Sequence, residues 1–209
     1  MKIDIGNLIS IADLVASTAH GATGQRRKYT HEPYIMHPRA VALYVRELHP
    51  ADLELQAAAL LHDVVEDTKL TNAYILDVFG PDVAKLVSEV TDVATSNDGN
   101  RATRMAMNRD HLVLASARGQ TLKACDIRHN LESVLRLDAD FAPVYAKEKR
   151  AQLEILTQAH PKALENAWAV LRLWEEQQVQ DAIRYPTIPR GRRYGKKISS
   201  QKSTGSSSG

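Results

Sequence analysis

Four polar residues, His62, Asp63, Glu66 and Asp67, close a run that is apolar but for Gln56 from Leu55 through Leu61. On a helix, His62 lies one turn from Glu66, and Asp63 one turn from both Glu66 and Asp67. The spacing therefore predicts that all four share a face. Three carboxylates on one face of a buried helix repel each other and lose hydration, at a cost of several kcal/mol for each ion left unpaired. A divalent metal is the simplest positive partner, because imidazole and carboxylate are common metal ligands. The alternative for Glu66 and Asp67 is a helix end whose acids face water.

A second polar set follows later in the chain. Lys123, Asp126, Asn130 and Ser133 fall on one stripe of a helix, opposite Ile127 and Leu131. Such a stripe is by default a solvated face. Spacing alone selects neither Asp126 nor any one of the eight histidines as a further ligand. The cluster Arg26-Arg27-Lys28 reads either as a basic surface loop or as a phosphate contact.

The elements that must position these residues are helical. Apolar spacing predicts helices over Asn7 to His20, Pro38 to Leu48, Asp52 to Glu66, Thr71 to Phe79 and Pro81 to Val90. Further helices are predicted over Arg101 to Ser116, Gln120 to Leu137, Phe141 to Gln158 and Pro161 to Gln178. Pro38 and Pro81 suit first turns, and Gly80 suits a helix end. Tyr29 to His37 and Asp92 to Asn100 read as loops. No alternating run of strand length occurs. The expected fold is all-α, a single domain of roughly eight or nine helices over 1–180 with a basic, disordered tail over 181–209.

Composition bounds the function. The chain has 209 residues, enough for one domain with a substantial core. Its single cysteine, Cys125, excludes an intramolecular disulfide and a cysteine-based zinc site. No apolar run approaches the roughly 20 residues of a membrane helix, and no signal peptide opens the chain, so a cytoplasmic protein is expected. Net charge is +2, yet Ala182 to Gly209 carries seven basic residues and no acid, which leaves the rest at −5.

The order His37, His62-Asp63, Asp126 resembles the metal-ligand pattern of the HD superfamily of phosphohydrolases, most closely its ppGpp hydrolase branch of RelA/SpoT-type hydrolase domains and small alarmone hydrolases. The matching words are Gly24 to Lys28, Pro33 to Pro38, Ala58 to Thr68, Phe79-Gly80, Val87 to Thr91, and Lys123 to Asn130. The resemblance covers about Ala19 to Ser133 well and the last two helices loosely. It implies an HD-domain helical bundle in which His37, His62, Asp63 and Asp126 hold one divalent metal, Mn²⁺ in this branch. Glu66 and Asp67 would position or activate the attacking water. Arg27 and Lys28 would lie against base and phosphates, and Asn130 and Ser133 would contact sugar and phosphates. Lys123 can add positive charge near the departing oxygens. Where the family often has a histidine two residues before Gly-Gln, this chain has Ala22. His20 lies two positions earlier and has no assigned role.

The leading expectation is hydrolysis of the 3′-pyrophosphate of (p)ppGpp or a related alarmone. The alternatives are another HD-type nucleotidase or phosphodiesterase, an adenine alarmone or NADPH as substrate, and a partner-binding antagonist module. The expected partner is a nucleotide, with neither membrane nor nucleic acid. The sequence leaves a homo-oligomer open.

Overall fold

The computed structural model describes residues 4–184. The expected tail therefore lies outside the described residues except for 181–184, which continue the last helix. Among the described residues the fold is all-α. The one extended pairing is an isolated antiparallel bridge between Arg26 and Pro33. No helix there is long and apolar enough to cross a membrane.

A short 3₁₀ turn, Ile5–Asn7, leads into α1 (Leu8–Ala22), followed by α2 (Met36–Leu48), α3 (Leu53–Leu61) and the single turn α4 (Val64–Asp67). Then come α5 (Asn72–Phe79), α6 (Pro81–Val90), α7 (Arg101–Val113), α8 (Ala117–Leu137), α9 (Ala142–Leu153) and α10 (Pro161–Arg184). Nine of these reach eight residues or more, in line with the expected number.

Helix α3 is buried all round, from Leu55 to Leu61. It packs on α1, α2 and α6. Helix α8 forms the second axis of the bundle and packs on α10, α2, α9 and α6. Fully buried Leu55, Leu61, Leu122, Ile127, Leu131 and Leu171 join these layers, each contributing about 2 kcal/mol through apolar burial. Asp52 caps α3 by accepting from the Leu55 N–H at 3.0 Å. The same carboxylate takes two bonds from Arg118 at the start of α8, at 2.8 and 2.6 Å. The two helices are thus clamped at one end and carry their polar residues further along.

The predicted helix over Asp52 to Glu66 is broken. α3 ends at Leu61, His62 and Asp63 form a turn, and α4 resumes at Val64. The cause is local. His62 Nδ1 donates to the Ala59 carbonyl at 2.8 Å, the acceptor that the Asp63 N–H would use in an unbroken helix. Other boundaries shift by less. Ser116 accepts from the Gly119 N–H and starts α8 three residues earlier than predicted, so α7 stops at Val113. Helix α9 ends at Leu153, and residues 154–159 form turns rather than a continued helix.

Candidate metal centre and phosphate cleft

His37 enters from the first turn of α2, just before Pro38, with no exposed surface. His62 and Asp63 occupy the break between α3 and α4, and Asp126 sits in the middle of α8. The four side chains converge. His37 Nε2 lies 3.2 Å from His62 Nε2, 3.4 Å from Asp63 Oδ2 and 3.1 Å from Asp126 Oδ1. His62 Nε2 lies 3.2 Å from Asp63 Oδ2 and 3.7 Å from Asp126 Oδ1. Ligand atoms of His37, His62 and Asp63 all fall within 4.8 Å of one another, so this group could hold a metal ion.

The donor set fits a divalent cation. The Ala59 carbonyl fixes the proton of His62 on Nδ1, leaving Nε2 bare toward the centre. His37 Nδ1 meets His129 Nδ1 at 2.7 Å, and with His37 as the donor its Nε2 also faces the centre bare. Tyr34 donates to Asp63 Oδ2 at 2.7 Å, and Asn130 Nδ2 donates to Asp126 Oδ1 at 2.7 Å. Every one of the four groups is therefore oriented by a neighbour.

Charge is concentrated here. Burial works against a charged His62, but Asp63 and Asp126 outweigh it and push its pKa up to about 9. Burial dominates at His37 and lowers its pKa despite the same two carboxylates. Burial works against an ionised Asp126, but Lys123 and the two imidazoles hold its pKa well below the usual carboxylate range. Lys123 Nζ lies 3.0 Å from Asp126 Oδ2. Its pKa is raised: Asp126 and Glu66 overcome the cost of burial.

The three acids of the α3–α4 segment each have a different hydrogen-bond partner, although His62 and Asp63 keep helical backbone angles through the break. Asp63 faces the histidines. Glu66 Oε1 accepts from the Asp92 N–H at 2.6 Å, at the edge of the loop after α6. Asp67 Oδ2 accepts from Gln25 Nε2 at 2.8 Å. Glu66 keeps one flank open, yet loss of hydration pushes its carboxyl up to about 7; Lys123 opposes this and Asp63 adds to it.

The stripe on α8 is not a solvated face. Lys123 and Asp126 are buried, and Asn130 and Ser133 are half-buried. Arg27 reaches the last two, donating to Asn130 Oδ1 at 3.0 Å and Ser133 Oγ at 3.1 Å. Its guanidinium also lies 5.8 Å from the centre of the Tyr34 ring. Lys28 is not brought to this group: it pairs with Asp138 at 3.1 Å, past the end of α8, and is largely exposed. A cleft of about 300 Å³ opens beside the centre, lined by Arg27, His37, His129 and Ser133 among others. A larger groove of about 480 Å³, between α1, α2 and α3, holds none of the candidate residues.

Sequence reasoning missed several participants. Tyr34 lies inside the ligand loop, and His129 three residues after Asp126; only the bundle shows that both touch ligands. Tyr145 and Lys149 come from α9. The pKa of Tyr145 is raised by burial, with Asp126 adding to it, and that of Lys149 is lowered by burial and by the charge of Lys123. Cys125 is buried, with its thiol pushed up to about 12, so it is no nucleophile.

The HD domain family model matches residues 12–150. The chain belongs to the HD domain family. It is similar to a guanosine-3′,5′-bis(diphosphate) 3′-pyrophosphohydrolase of Haemophilus influenzae, 36% identical over 65% of this chain and 20% of that protein. A protein of the same name from Aquifex aeolicus is 37% identical over 62% of this chain and 17% of its own length. The match thus spans a fifth or less of these two relatives. Among solved structures, a metazoan ortholog of SpoT described as hydrolysing ppGpp aligns with a TM-score of 0.69 and 25% identity. That alignment covers 79% of this chain and 94% of the other.

Proposed function

We propose that this HD domain hydrolyses the 3′-pyrophosphate of guanosine tetra- or pentaphosphate, or of a closely related alarmone, releasing pyrophosphate and GDP or GTP. The observation that carries the reading is the convergence of His37, His62, Asp63 and Asp126 on one point, with Lys123 and Arg27 beside it. The activities named for the relatives support it.

In this reading His37, His62, Asp63 and Asp126 hold one metal ion. Mn²⁺ suits them better than Zn²⁺, since four protein ligands leave open positions only on an ion that accepts five or six. When bound, such an ion lowers the pKa of water and polarises a phosphoryl oxygen. The chain's own groups do the rest. Glu66, with a pKa of about 7, can take the proton of the attacking water near neutrality. Asp67, held by Gln25, orients that water. The water oxygen bonds to phosphorus, the bond from phosphorus to O3′ breaks, and the nucleoside oxygen leaves as the 3′-hydroxyl with a proton drawn from solvent. Lys123 offsets the charge that builds on the phosphoryl oxygens. Arg27, fixed by Asn130 and Ser133, presents its remaining N–H groups to phosphate or base. Lys28 would need to leave Asp138 to join the substrate contacts.

We assign the hydrolase to 1–180 and place its reaction in the cytoplasm with its nucleotide substrate. Incubation of ppGpp and ppApp separately, with Mn²⁺ and with a chelator, tests the reading. Pyrophosphate plus GDP or ADP, lost with the chelator, is expected, and the two rates rank the bases. No turnover of either by protein that binds Mn²⁺ would redirect the assignment to another nucleotide phosphoester.

A further inference from the structure

His20 is a buried histidine with a purpose the metal centre does not explain. It closes α1, is 1% exposed, and its Nε2 is buried without a hydrogen-bond partner. An orphaned ring nitrogen in such a place calls for a compensating role. Its other nitrogen, Nδ1, lies 2.6 Å from Gln25 Oε1. The amide of Gln25 then continues to Asp67 Oδ2 at 2.8 Å.

The direction of this chain is forced by chemistry. An ionised Asp67 can only accept, so Gln25 must turn its NH₂ toward it. The amide oxygen then faces His20, which must offer an N–H. With that proton on Nδ1, Nε2 is left as the acceptor that finds no partner. Turned the other way, the amide would set its oxygen against a carboxylate. The ring is itself wedged against Tyr34, with centroids 4.7 Å apart, and the Gln25 N–H bonds the His20 carbonyl at 3.1 Å. The end of α1 thus reaches the end of α4 through side chains of the following loop.

We propose that His20 and Gln25 are positioning residues: the polarised chain His20–Gln25–Asp67 pins one oxygen of Asp67 and so aims the other at the attacking water. This rests on the hydrolase reading. The chain touches no candidate metal ligand directly, so its loss should slow the chemical step and leave metal and substrate binding in place.

The test is a variant series in the full chain, read by kcat, KM and Mn²⁺ affinity. His20→Leu and Gln25→Leu should each lower kcat about 10- to 100-fold, as a misplaced catalytic group does, with KM and Mn²⁺ affinity held within about twofold. His20→Asn, whose amide N–H stands close to where Nδ1–H was, should return kcat to within about threefold of the parent. The double Leu variant should be no slower than Gln25→Leu alone, because both act through one chain. The proposal is overturned if His20→Asn is as slow as His20→Leu, if the two losses multiply, or if the loss falls on KM or Mn²⁺ affinity. Nitrogen-15 NMR of the His20 ring is a readout independent of any substrate. The Nδ1–H tautomer is expected, and the Nε2–H tautomer overturns the chain whatever the protein hydrolyses. An Nδ1–H tautomer in a protein that turns over no alarmone overturns the hydrolase reading, and the catalytic role of the chain with it.

Discussion

The Nε2 atoms of His37 and His62 lie 3.2 Å apart, close enough to share a proton on His62 without metal and to ligate one cation once that proton is displaced. Asp63 and Asp126 bring oxygens within 3.2 and 3.1 Å of the same nitrogens. If these four are the ligand set, Asp63→Ala or Asp126→Ala weakens Mn²⁺ binding sharply and takes hydrolysis below detection. Titration of free Mn²⁺ by electron paramagnetic resonance, paired with pyrophosphate release, checks both. A variant with parental affinity and rate would remove its residue from the set.

His129 should matter to the metal without touching it. Burial, with the nearby His37 adding to it, pushes the His129 pKa down to about 4, so its neutral ring can accept the Nδ1–H of His37. His129→Ala is expected to weaken Mn²⁺ affinity about 10- to 100-fold, the usual cost of removing a ligand's orienting partner. His129→Asn, which keeps an acceptor, should lose less. Equal affinities in all three proteins would count against this role.

Lys123 and Asp126 form a buried pair, so removing one partner strands the other. Lys123→Met in metal-free protein should cost about 3 kcal/mol in urea unfolding, as broken buried ion pairs do. In the Mn²⁺-loaded enzyme the same change should depress kcat more than it raises KM, since the ammonium answers charge that grows during reaction. Unchanged stability and a pure KM effect would assign Lys123 to ground-state binding instead.

Glu66 gives a pH dependence of defined sign. In the folded protein its carboxyl holds a proton up to about 7, whereas the unfolded chain releases it in the ordinary carboxylate range. The folded state therefore binds more protons in that window, and stability falls as pH rises through it. Metal-free Glu66→Gln should show a flatter dependence of Tm on pH between about 5 and 8 than the parent. Parallel curves would mean that Glu66 titrates normally.

Much of the fold was legible because long helices advertise themselves through apolar spacing. Leu55 to Leu61 read as a buried helix, and Thr71, Gly80 and Pro81 marked boundaries that the structure keeps. The break at His62 was not legible, because a side chain competing for one carbonyl leaves no periodic trace. Nor was the burial of Lys123 and Asp126: α8 looks amphipathic in isolation, and its polar stripe faces inward only once the other helices close around it. His37 and Asp126 came from resemblance, since residues far apart in sequence meet only through packing. Tyr34, His129 and the His20–Gln25 pair needed coordinates, because each acts through another side chain.

The turn at His62–Asp63 makes one imidazole responsible for two ligands. If His62→Ala let α3 run on, the Asp63 N–H would recover the Ala59 carbonyl and its carboxylate would shift relative to the centre. Chemical rescue should therefore distinguish the two histidines. Free imidazole can fill the hole left by His37→Ala, where the surrounding backbone is fixed by Pro38 and α2. It should fail with His62→Ala, where the missing ring also served as the wedge that keeps the helix open.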